Sequence, residues 1–392
     1  MSDGITNYLE VNPAALYNSP QQLDIENFNF VEFKAIAGES FGPSSTITVR
    51  ANSTNELIDW DRSFIKGTFT ATGSGSVLSD LGIGAAFKNV QETISGVSLP
   101  ILTDWNLTHS LENRLSTAER KDWLKVTELC STGLTIGSTA TTFSLAVPSQ
   151  LATSDRYFPL AVVSGGVEFT WTLESAANVF KVAGTGYSIT NFGLVLCMVS
   201  PSASYLNELS RGVSSGHSLK IPLELRRVVH QPLTTSLSQT LKVQTGFLRS
   251  INGLTLIVRD KDNLDVATAD AFVGASKLNN ISYYNIGVNS VVYPRNRFLY
   301  IKDNRAENLM NILSGFNTKY SGISVPAGAT DDFAFFNFKA NSGFGAGITS
   351  TDGFCELNLS IGTAFDAGDM SSIIVSYDAS LQIEDGIVTV TI

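Results

Sequence analysis

The sequence predicts an all-β fold: two tandem eight-stranded antiparallel jelly rolls with a few short helices in loops. Three observations lead to this prediction. Segments of alternating apolar and polar residues recur along the whole chain, helix patterns are few, and similar elements recur about half a chain apart. The chain has 392 residues, about twice the size of a usual domain, which favours two domains or two cores.

The clearest strand of the first half lies in "GGVEFTWTLES". Val167, Phe169, Trp171 and Leu173 fall on one side and polar residues alternate with them, which is the pattern of a half-buried antiparallel strand. Further strand segments of this half are residues 46–51, 63–73, 143–147 and 188–199. We therefore expect antiparallel sheet throughout the first half.

The second half of the chain has the same character. Its last segment is a hairpin, because Asp385 and Gly386 join two strand patterns and supply the two positive-φ positions of a type I′ turn. The other strand segments of this half are residues 219–229, 237–245, 254–260, 333–340 and 355–361. A second antiparallel barrel is the expected result.

Helices are predicted at only a few places. Residues 116–126 begin with Ser116 and carry Glu119 three residues later, which is the spacing of a capping box. A second helix is predicted from Tyr205 to Gly212, where a glycine can end it. Both are short enough to lie in connections between strands.

A third predicted helix suggests that the two halves are copies of one unit. Residues 304–315 follow a strand pattern that ends at Pro294, just as residues 116–126 follow one that ends at Pro100. Three apolar residues share one face of this helix: Leu309, Ile312 and Leu313. The order of elements is therefore repeated, although the sequence similarity between the two halves is weak.

The predicted organisation has three parts. Residues 1–27 form an N-terminal arm, residues 28–212 the first jelly roll, and residues 213–392 the second. The joint is placed near residues 210–218, a Gly/Ser-rich stretch between two strand-rich halves.

The charge distribution argues against a protein that grips phosphate backbones. The net charge is −10, and no basic residue precedes Lys34. Affinity for nucleic acid comes from clustered Lys and Arg that release counterions, so direct electrostatic nucleic-acid binding is not expected. The acidic residues before Lys34 are Asp3, Glu10, Asp24, Glu26 and Glu32.

The sequence predicts no catalytic, cofactor-binding or metal-binding residues and no cofactor. His109, His217 and His230 fit none of the usual zinc spacings, and we expect them in loops or on the surface. Three cysteines lie far apart among apolar neighbours and are expected to be buried free thiols of a reducing compartment: Cys130, Cys197 and Cys355. No secretory signal or membrane-spanning run is recognisable, so we expect a soluble protein made in the cytosol.

Two glycine-containing patterns resemble functional motifs. "GVSSG" fits the letters of a nucleophile elbow around Ser214, but a helical stretch precedes it and a strand follows, which is the reverse of the required context. A linker is therefore the favoured interpretation. The glycine clusters at residues 72–77, 184–188 and 343–347 lack the ending of a phosphate-binding loop and are expected to be hairpin tips.

Basic residues cluster in two places. One holds Arg226 and Arg227; the other is interleaved with aromatic residues, as in a platform that stacks single-stranded nucleic acid. Acids lie close by, and Arg and Tyr are also enriched at protein interfaces, so we favour an interface or pairing within the chain. The basic residues of the second cluster are Arg295, Arg297, Lys302 and Arg305.

Residues 143–151, 157–175 and 187–209, followed by "HSLKIPLELRRVVHQPL", carry a resemblance to a known family. An apolar strand with a Pro-containing end, a loop to "PL", an alternating strand, and a long strand with a short helix follow in order. This order resembles the close of the first barrel and the start of the second in double jelly-roll major capsid proteins. The pattern is most similar to polinton-like viruses, virophages and related tailless DNA viruses of the adenovirus-type lineage.

This resemblance implies a structural protein without catalysis, located in the virion. Three chains with two barrels each would form a pseudo-hexagonal homotrimer that tiles an icosahedral shell. The partners implied are other copies of the chain and penton and minor capsid proteins. An internal membrane, minor shell proteins or a separate packaging system would mediate between the shell and the nucleic acid. The acidic arm, residues 1–27, would lie inside the shell or beneath adjacent subunits.

Two other functions stay open at the level of sequence. A β-sandwich hydrolase acting on glycans or glycopeptides would need a pair of acids with shifted pKa values in a cleft between the barrels. A carbohydrate-binding attachment protein would need a flat platform of exposed aromatic residues near Tyr283, Tyr284 and Tyr293.

Overall fold

Four antiparallel sheets form most of the described structure. It is a computed structural model, and it describes residues 25–52, 54–116, 118–130, 135–136, 138–153, 157–246, 248–265, 272, 277–293, 299–300, 333–338, 345 and 347–392. The helix predicted at residues 304–315 and the basic residues predicted at 295–305 lie outside these ranges.

The first half of the described chain contains eleven strands and four helices. The strands are β1 (Ile25–Lys34), β2 (Ser40–Phe41), β3 (Thr46–Ala51), β4 (Leu57–Thr72), β5 (Val77–Leu78), β6 (Phe87–Ile94), β7 (Val97–Ser98), β8 (Thr141–Ala146), β9 (Val167–Leu173), β10 (Phe180–Val182) and β11 (Gly186–Pro201). The helices are α1 (Trp105–Leu115), α2 (Ala118–Thr127), α3 (Ala176–Val179) and α4 (Ala203–Ser214).

The second half adds ten strands. They are β12 (Leu219–Pro232), β13 (Ser238–Gln244), β14 (Ile251–Arg259), β15 (Ile281–Val288), β16 (Val291–Tyr293), β17 (Leu299–Tyr300), β18 (Phe333–Asn337), β19 (Phe354–Ile361), β20 (Met370–Glu384) and β21 (Ile387–Thr391). Single 3₁₀ turns cover Gly82–Ala86, Leu151–Thr153, Leu160–Val162, Lys261–Asn263 and Leu278–Asn280.

The sheets fall into two units. Sheet I has the order β1-β11-β4-β8 and sheet II the order β3-β9-β6-β7; together they form the first unit. Sheet III has the order β12-β20-β14-β18 and sheet IV the order β13-β19-β15-β16; together they form the second unit. Shorter strands extend these sheets, since β2 pairs with β11, β17 with β15 and β21 with β20.

Both units have the same strand order. When the eight principal strands of each unit are numbered along the chain, one sheet reads 1-8-3-6 and the other 2-7-4-5 in each case. Eight strands wound in this way into two packed sheets form a jelly roll. The predicted all-β fold of two tandem jelly rolls is thus confirmed, and the repeated order supports the predicted duplication.

Strand β9 shows why the alternating segments form these sheets. Val167, Phe169, Trp171 and Leu173 are buried between sheets I and II, and the polar residues between them are half-buried on the other side. The Trp171 indole Nε1 donates to the carbonyl oxygen of Pro148 at 2.9 Å, which satisfies its single polar group. The predicted alternation is confirmed here.

The terminal hairpin also follows its prediction. Asp385 and Gly386 have φ values of 50° and 73°, and the strands on either side, β20 and β21, pair from Glu384 and Ile387 onward. Two central positions with positive φ are the mark of a type I′ turn, whose twist matches that of a hairpin.

Some strands are buried on both faces instead of one. β14 is buried at every position from Ile251 to Val258, and β11 from Phe192 to Val199. A strand with water on one side would alternate, so the outer side of each of these strands must be covered by another part of the molecule.

The structure differs from the sequence prediction at several places. Helix α1 precedes the predicted helix, here α2, and was not predicted. Strand β1 already pairs Ile25 and Asn27 with β11, within the range assigned to an arm. Gly212 lies inside α4 and does not end it, because the helix continues to Ser214. Strands β6 and β15 were also not predicted; the domain boundaries themselves stay a prediction.

Replacing Trp171 by Ala should remove the largest fully buried side chain of the first unit. We expect the free energy of unfolding to fall by about 3–5 kcal/mol, because the change leaves a cavity in a packed core. Urea denaturation followed by circular dichroism would measure it. Thr172→Ala, on the opposite side of β9, is the matched control and should change stability by about 0.5 kcal/mol or less; equal effects of the two variants would contradict the assignment of faces.

Candidate functional site

The nucleophile-elbow pattern does not form an elbow. Ser214 lies in the last turn of α4, and its Oγ donates to the carbonyl oxygen of Ser210 at 2.7 Å. A helix precedes Ser214, and a turn leads from it to β12, so the strand-turn-helix geometry that activates such a serine is not formed there.

The histidine predictions are partly wrong. His217 is exposed after α4, as expected, and His230 lies at the surface of β12. His109, expected in a loop or on the surface, is instead buried in α1 with its ring stacked on Trp105 at a centroid distance of 4.5 Å. The reason is that α1 itself was not recognised, and it packs between the two units.

The aromatic platform required of an attachment protein is not formed. Tyr284 is only 1% exposed, and its ring packs edge-on against Phe336 at a centroid distance of 4.6 Å. It lies in β15 and points into the core of the second unit, whereas Tyr283 and Tyr293 are half-buried. The condition that the attachment hypothesis sets for these three tyrosines is therefore not met.

The predicted burial of the cysteines is confirmed for two of the three. Cys197 and Cys355 are buried, Cys130 is half-buried, and all three thiols are free. Burial raises the pKa of Cys355 to about 11 and that of Cys130 further still, where the neighbouring Glu128 adds to the effect. Protonated thiols at such sites are poor nucleophiles and poor metal ligands.

The main contact between the two units is an apolar one, which we call the joint. Helix α1 and the turn Gly82–Ala86 of the first unit lie on the outer face of sheet III, the face turned away from sheet IV. The first unit contributes Leu81, Ala85, Leu107, Leu111 and Leu115, and the second contributes Val228, Ile257, Phe272, Phe333, Phe335 and Ile374. The leucines of α1 are spaced by four residues and so share one face of the helix.

Charged groups fix the position of α1 on this face. Arg226 of β12 donates from Nη1 to Oε1 of Glu112 at 2.6 Å. Burial alone would raise the pKa of Glu112, but Arg226 and His109 outweigh it and hold that pKa well below its usual range. At the start of the helix, His230 Nε2 lies 2.7 Å from Oδ2 of Asp104. Arg226 is thus paired within the chain, as one of the two interpretations of its cluster predicted.

His109 ties α1 to the chain that follows α2. Its Nε2 lies 2.9 Å from Oε2 of Glu128, and Asn113 lies 3.3 Å from the same nitrogen. Burial would lower the pKa of His109, yet the charge of Glu128 and the contact with Glu112 outweigh it and raise the pKa to about 9. The ring therefore carries a positive charge at neutral pH and sits between two carboxylates.

Glu92 is another buried acid of the first unit. Its carboxylate accepts from Ser149 Oγ, from the backbone N–H of Gln150 at 3.1 Å and from that of Leu151 at 3.4 Å. It therefore holds the start of the 3₁₀ turn Leu151–Thr153. Burial raises its pKa to about 7, because three hydrogen bonds do not fully replace the lost hydration.

A cavity of about 610 Å³ lies between the two units. A hydrolase would need converging acids in such a cleft, but the lining contains Arg226 and Arg227 and no Asp or Glu. The other lining residues are Pro100, Ile101, Thr103, Val228, Thr245, Gly246, Leu248, Tyr377 and Ile392. This cavity does not have the chemistry that the hydrolase hypothesis requires.

Two exposed apolar areas stand out on the surface. The first, the β1 patch, consists of Ile25, Phe28 and Phe30; the two phenylalanine side chains are 52% and 49% exposed, and Arg62 lies over the Phe28 ring at 5.3 Å. The second, the α2 patch, consists of Trp123 and Val126, which are 59% and 77% exposed. Apolar side chains grouped on an otherwise folded surface are typical of protein interfaces.

The described residues lack two further kinds of feature. No group of three or more His, Cys, Asp or Glu side chains in that part of the chain is arranged to hold a metal ion. None of the helices described there is long and apolar enough to cross a membrane.

The fold resembles solved structures of viral capsid proteins. VP54 of PBCV-1, fitted into a reconstruction of the virophage Sputnik, superimposes with a TM-score of 0.65 at 11% identity, covering 93% of this chain and 96% of that one. The Faustovirus major capsid protein superimposes with a TM-score of 0.59 at 9% identity, covering 91% of this chain and 90% of that one. A chain of the Sputnik virophage structure superimposes with a TM-score of 0.57 at 14% identity, covering 94% of this chain and 89% of that one.

These likenesses establish the architecture of the chain. No protein-family model and no curated protein matches the sequence. The structures that match nearly the whole chain are double jelly-roll major capsid proteins, and the chain has their double jelly-roll fold.

Replacing Arg226 by Met should weaken the joint. The change leaves the Glu112 carboxylate, which is only 23% exposed, without its guanidinium partner, and we expect a loss of about 2–4 kcal/mol in the free energy of unfolding. Arg227→Met removes an adjacent exposed cation and should have little effect. The double variant Arg226→Met/Glu112→Gln should recover part of the lost stability, because it also removes the unpaired carboxylate. Urea denaturation of the two single variants and the double variant would measure their free energies of unfolding.

Glu92→Gln should change how stability depends on pH. Glu92 has an ordinary pKa of 4.5 and a pKa of about 7 in the fold, so folding favours its protonated form. Its contribution is complete below the lower value and is lost as the pH rises through the higher one. The variant, which cannot ionise, should gain about 2 kcal/mol relative to the wild type between pH 5 and pH 8. Thermal unfolding across this pH range would measure the gain. Glu384→Gln, which changes an exposed acid, is the control. If both variants gained the same stability over the wild type with rising pH, the role of Glu92 would be contradicted.

Proposed function

We propose that this protein is a major capsid protein of an icosahedral virus and forms homotrimeric, pseudo-hexagonal capsomers. One observation carries the proposal: two units with the same strand order are fused in one chain, and this arrangement matches capsid proteins over more than nine-tenths of the chain. The joint described above holds the two units side by side.

The physical logic of a tile supports this function. Three chains with two similar units each place six similar units around a threefold axis, which gives an outline close to a hexagon. Tiles of this kind need extended surfaces that bind copies of themselves, and stable interfaces bury about 800 Å² or more on each partner. The β1 patch and the α2 patch are two exposed apolar areas of the described residues that are available for such contacts.

We further propose that the protein performs no catalysis. The ionisable groups with displaced pKa values have structural partners: Glu92 holds a 3₁₀ turn, His109 and Glu112 fix α1, and burial keeps Cys130 protonated. Groups with displaced pKa values often mark active sites. In this chain they hold elements of the fold together, and no observation favours the hydrolase or the attachment function.

The proposed location and partners follow from the same function. The protein would reside in the virion after synthesis in the host cytoplasm, with residues 1–27 as an arm, 28–212 as the first jelly roll and 213–392 as the second. Penton and minor capsid proteins would contact its trimers, and an internal membrane, minor shell proteins or a separate packaging system would link the shell to the nucleic acid. A net charge of −10 and the lack of basic residues before Lys34 support packaging without direct electrostatic binding of nucleic acid by this chain.

The oligomeric state of the purified protein tests the proposal. We expect a particle of three times the 42.1 kDa chain mass by light scattering after size exclusion, and hexagonal outlines by negative-stain microscopy. The reason is that the apolar patches have no partner surface in the described part of a single chain. A protein that stays monomeric at high concentration and forms no shells would contradict it.

A further inference from the structure

The cavity between the two units is lined by an arginine without a partner. Within the described residues, the guanidinium of Arg227 makes no ion pair and no hydrogen bond. The guanidinium of the adjacent Arg226 is instead paired with Glu112 at 2.6 Å and lies 3.6 Å from Glu224. In a chain with a net charge of −10, a guanidinium that no acid neutralises stands out, and it gives this cavity a positive charge.

A buried tyrosine hydroxyl lies beside this guanidinium. Leu225 of β12 is paired with Tyr377 of β20, and Arg227 is two residues further along β12, so Arg227 and Tyr377 are diagonal neighbours on one face of sheet III. Tyr377 is 4% exposed, and its hydroxyl makes no hydrogen bond within the described residues. Burial raises the pKa of Tyr377 and the charge of Arg227 opposes this rise, so the two groups interact. Buried hydroxyls are normally hydrogen-bonded, and these two donors suit a ligand that accepts from both.

The remaining walls of the cavity are largely apolar and come from both units. Pro100 and Ile101 follow β7 of the first unit, whereas Val228 and Leu248 belong to the second. The volume of about 610 Å³ is in the range of pockets that hold small molecules. The lining thus combines one unpaired cation with apolar walls, which suits a small molecule that has one anionic group and an apolar body.

The charge of the lining favours a carboxylate over a phosphate. Arg227 contributes one positive charge, because Glu112 balances that of Arg226. A carboxylate carries one negative charge, and its two oxygens can accept from a guanidinium and a hydroxyl together. A phosphate monoester carries nearly two charges at neutral pH, so it would leave one of them unbalanced between apolar walls.

We propose that this cavity is a binding site for a small carboxylate with an apolar body. The carboxylate accepts from the guanidinium of Arg227 and from the hydroxyl of Tyr377, and the apolar body lies between the walls that the two units contribute. Such a ligand stabilises the contact between the units, because it binds their joined arrangement and not a separated one. The site is formed within one chain, so this inference does not depend on the proposed function.

A series of straight-chain carboxylates from acetate to octanoate tests the site by isothermal titration calorimetry with the full chain. We expect affinity to rise about threefold for each added CH₂ group and octanoate to bind with a Kd of about 1 mM or tighter. Octanamide, which has the same length and no charge, should bind about tenfold more weakly. If acetate bound as tightly as octanoate, the cavity would hold an adventitious ion only, and equal binding of octanamide would likewise overturn the inference.

Variants of the two donors identify the groups that hold the carboxylate. Arg227→Met should weaken octanoate binding about 10- to 100-fold, because it removes a charged hydrogen-bond donor and leaves the pair of Arg226 and Glu112 in place. Tyr377→Phe removes only a hydroxyl and should weaken binding about fivefold. Lys220→Met removes an exposed cation from the same strand and is the matched control. Wild-type affinity in Arg227→Met, or an equal loss in Lys220→Met, would refute the assignment.

Hydrogen exchange of the wild type shows where the ligand lies. Saturating octanoate should slow exchange in residues 101–104 of the first unit and in residues 226–228 of the second together, and leave strand β3 unchanged. Protection in only one unit would contradict a ligand that contacts both. A protein that binds octanoate in this way but stays monomeric would contradict the proposed function and leave the site standing, whereas trimers that bind no carboxylate would do the reverse.

Discussion

Sheet III must be covered on both faces, and the rest of the described architecture is arranged around this constraint. Its inner face packs against sheet IV, while Val228, Ile257 and Ile374 on its outer face are also apolar. Left in water, that outer face would favour association with any apolar surface. Helix α1 of the first unit covers it, so the two jelly rolls are held together by the same contact that removes this surface from water.

Polar groups decide where α1 lies on that face. An apolar contact alone tolerates sliding, whereas the pairs between Glu112 and Arg226 and between Asp104 and His230 have directions and fixed lengths. A partly buried ion pair adds little net stability compared with apolar side chains of the same shape, but misplacing it leaves charges without partners. The charged contacts therefore give the joint its register, and the leucines give it most of its stability.

The sequence was sufficient for elements whose burial follows a simple period. Strand β9 alternates between buried and half-buried residues, and the hairpin of β20 and β21 carries a diagnostic turn. The fold of both units could therefore be predicted as tandem jelly rolls. Strand β1 was harder to recognise because its apolar positions change phase. Phe28 and Phe30 face outward, but Val31 and Phe33 face the core.

Helix α1 could not be predicted for a different reason. Its buried residues include Asn106 and His109, which by themselves indicate a surface. Their partners are remote in sequence: Asn106 donates to Glu174 at 3.2 Å, and His109 contacts Glu128. Burial of polar side chains depends on such partners, and one sequence does not reveal which distant residues will meet. The joint was missed for the same reason.

Fusion of the two jelly rolls in one polypeptide gives their contact a property that contacts between separate molecules lack. A tethered partner is present at a fixed effective concentration, set by the connecting chain, so the joint forms at any level of expression. Association of whole chains obeys mass action and depends on how much protein has accumulated. Under the proposed function, the contact between the two units would be complete as each molecule folds, while growth of a larger assembly would wait until the supply of finished molecules is sufficient.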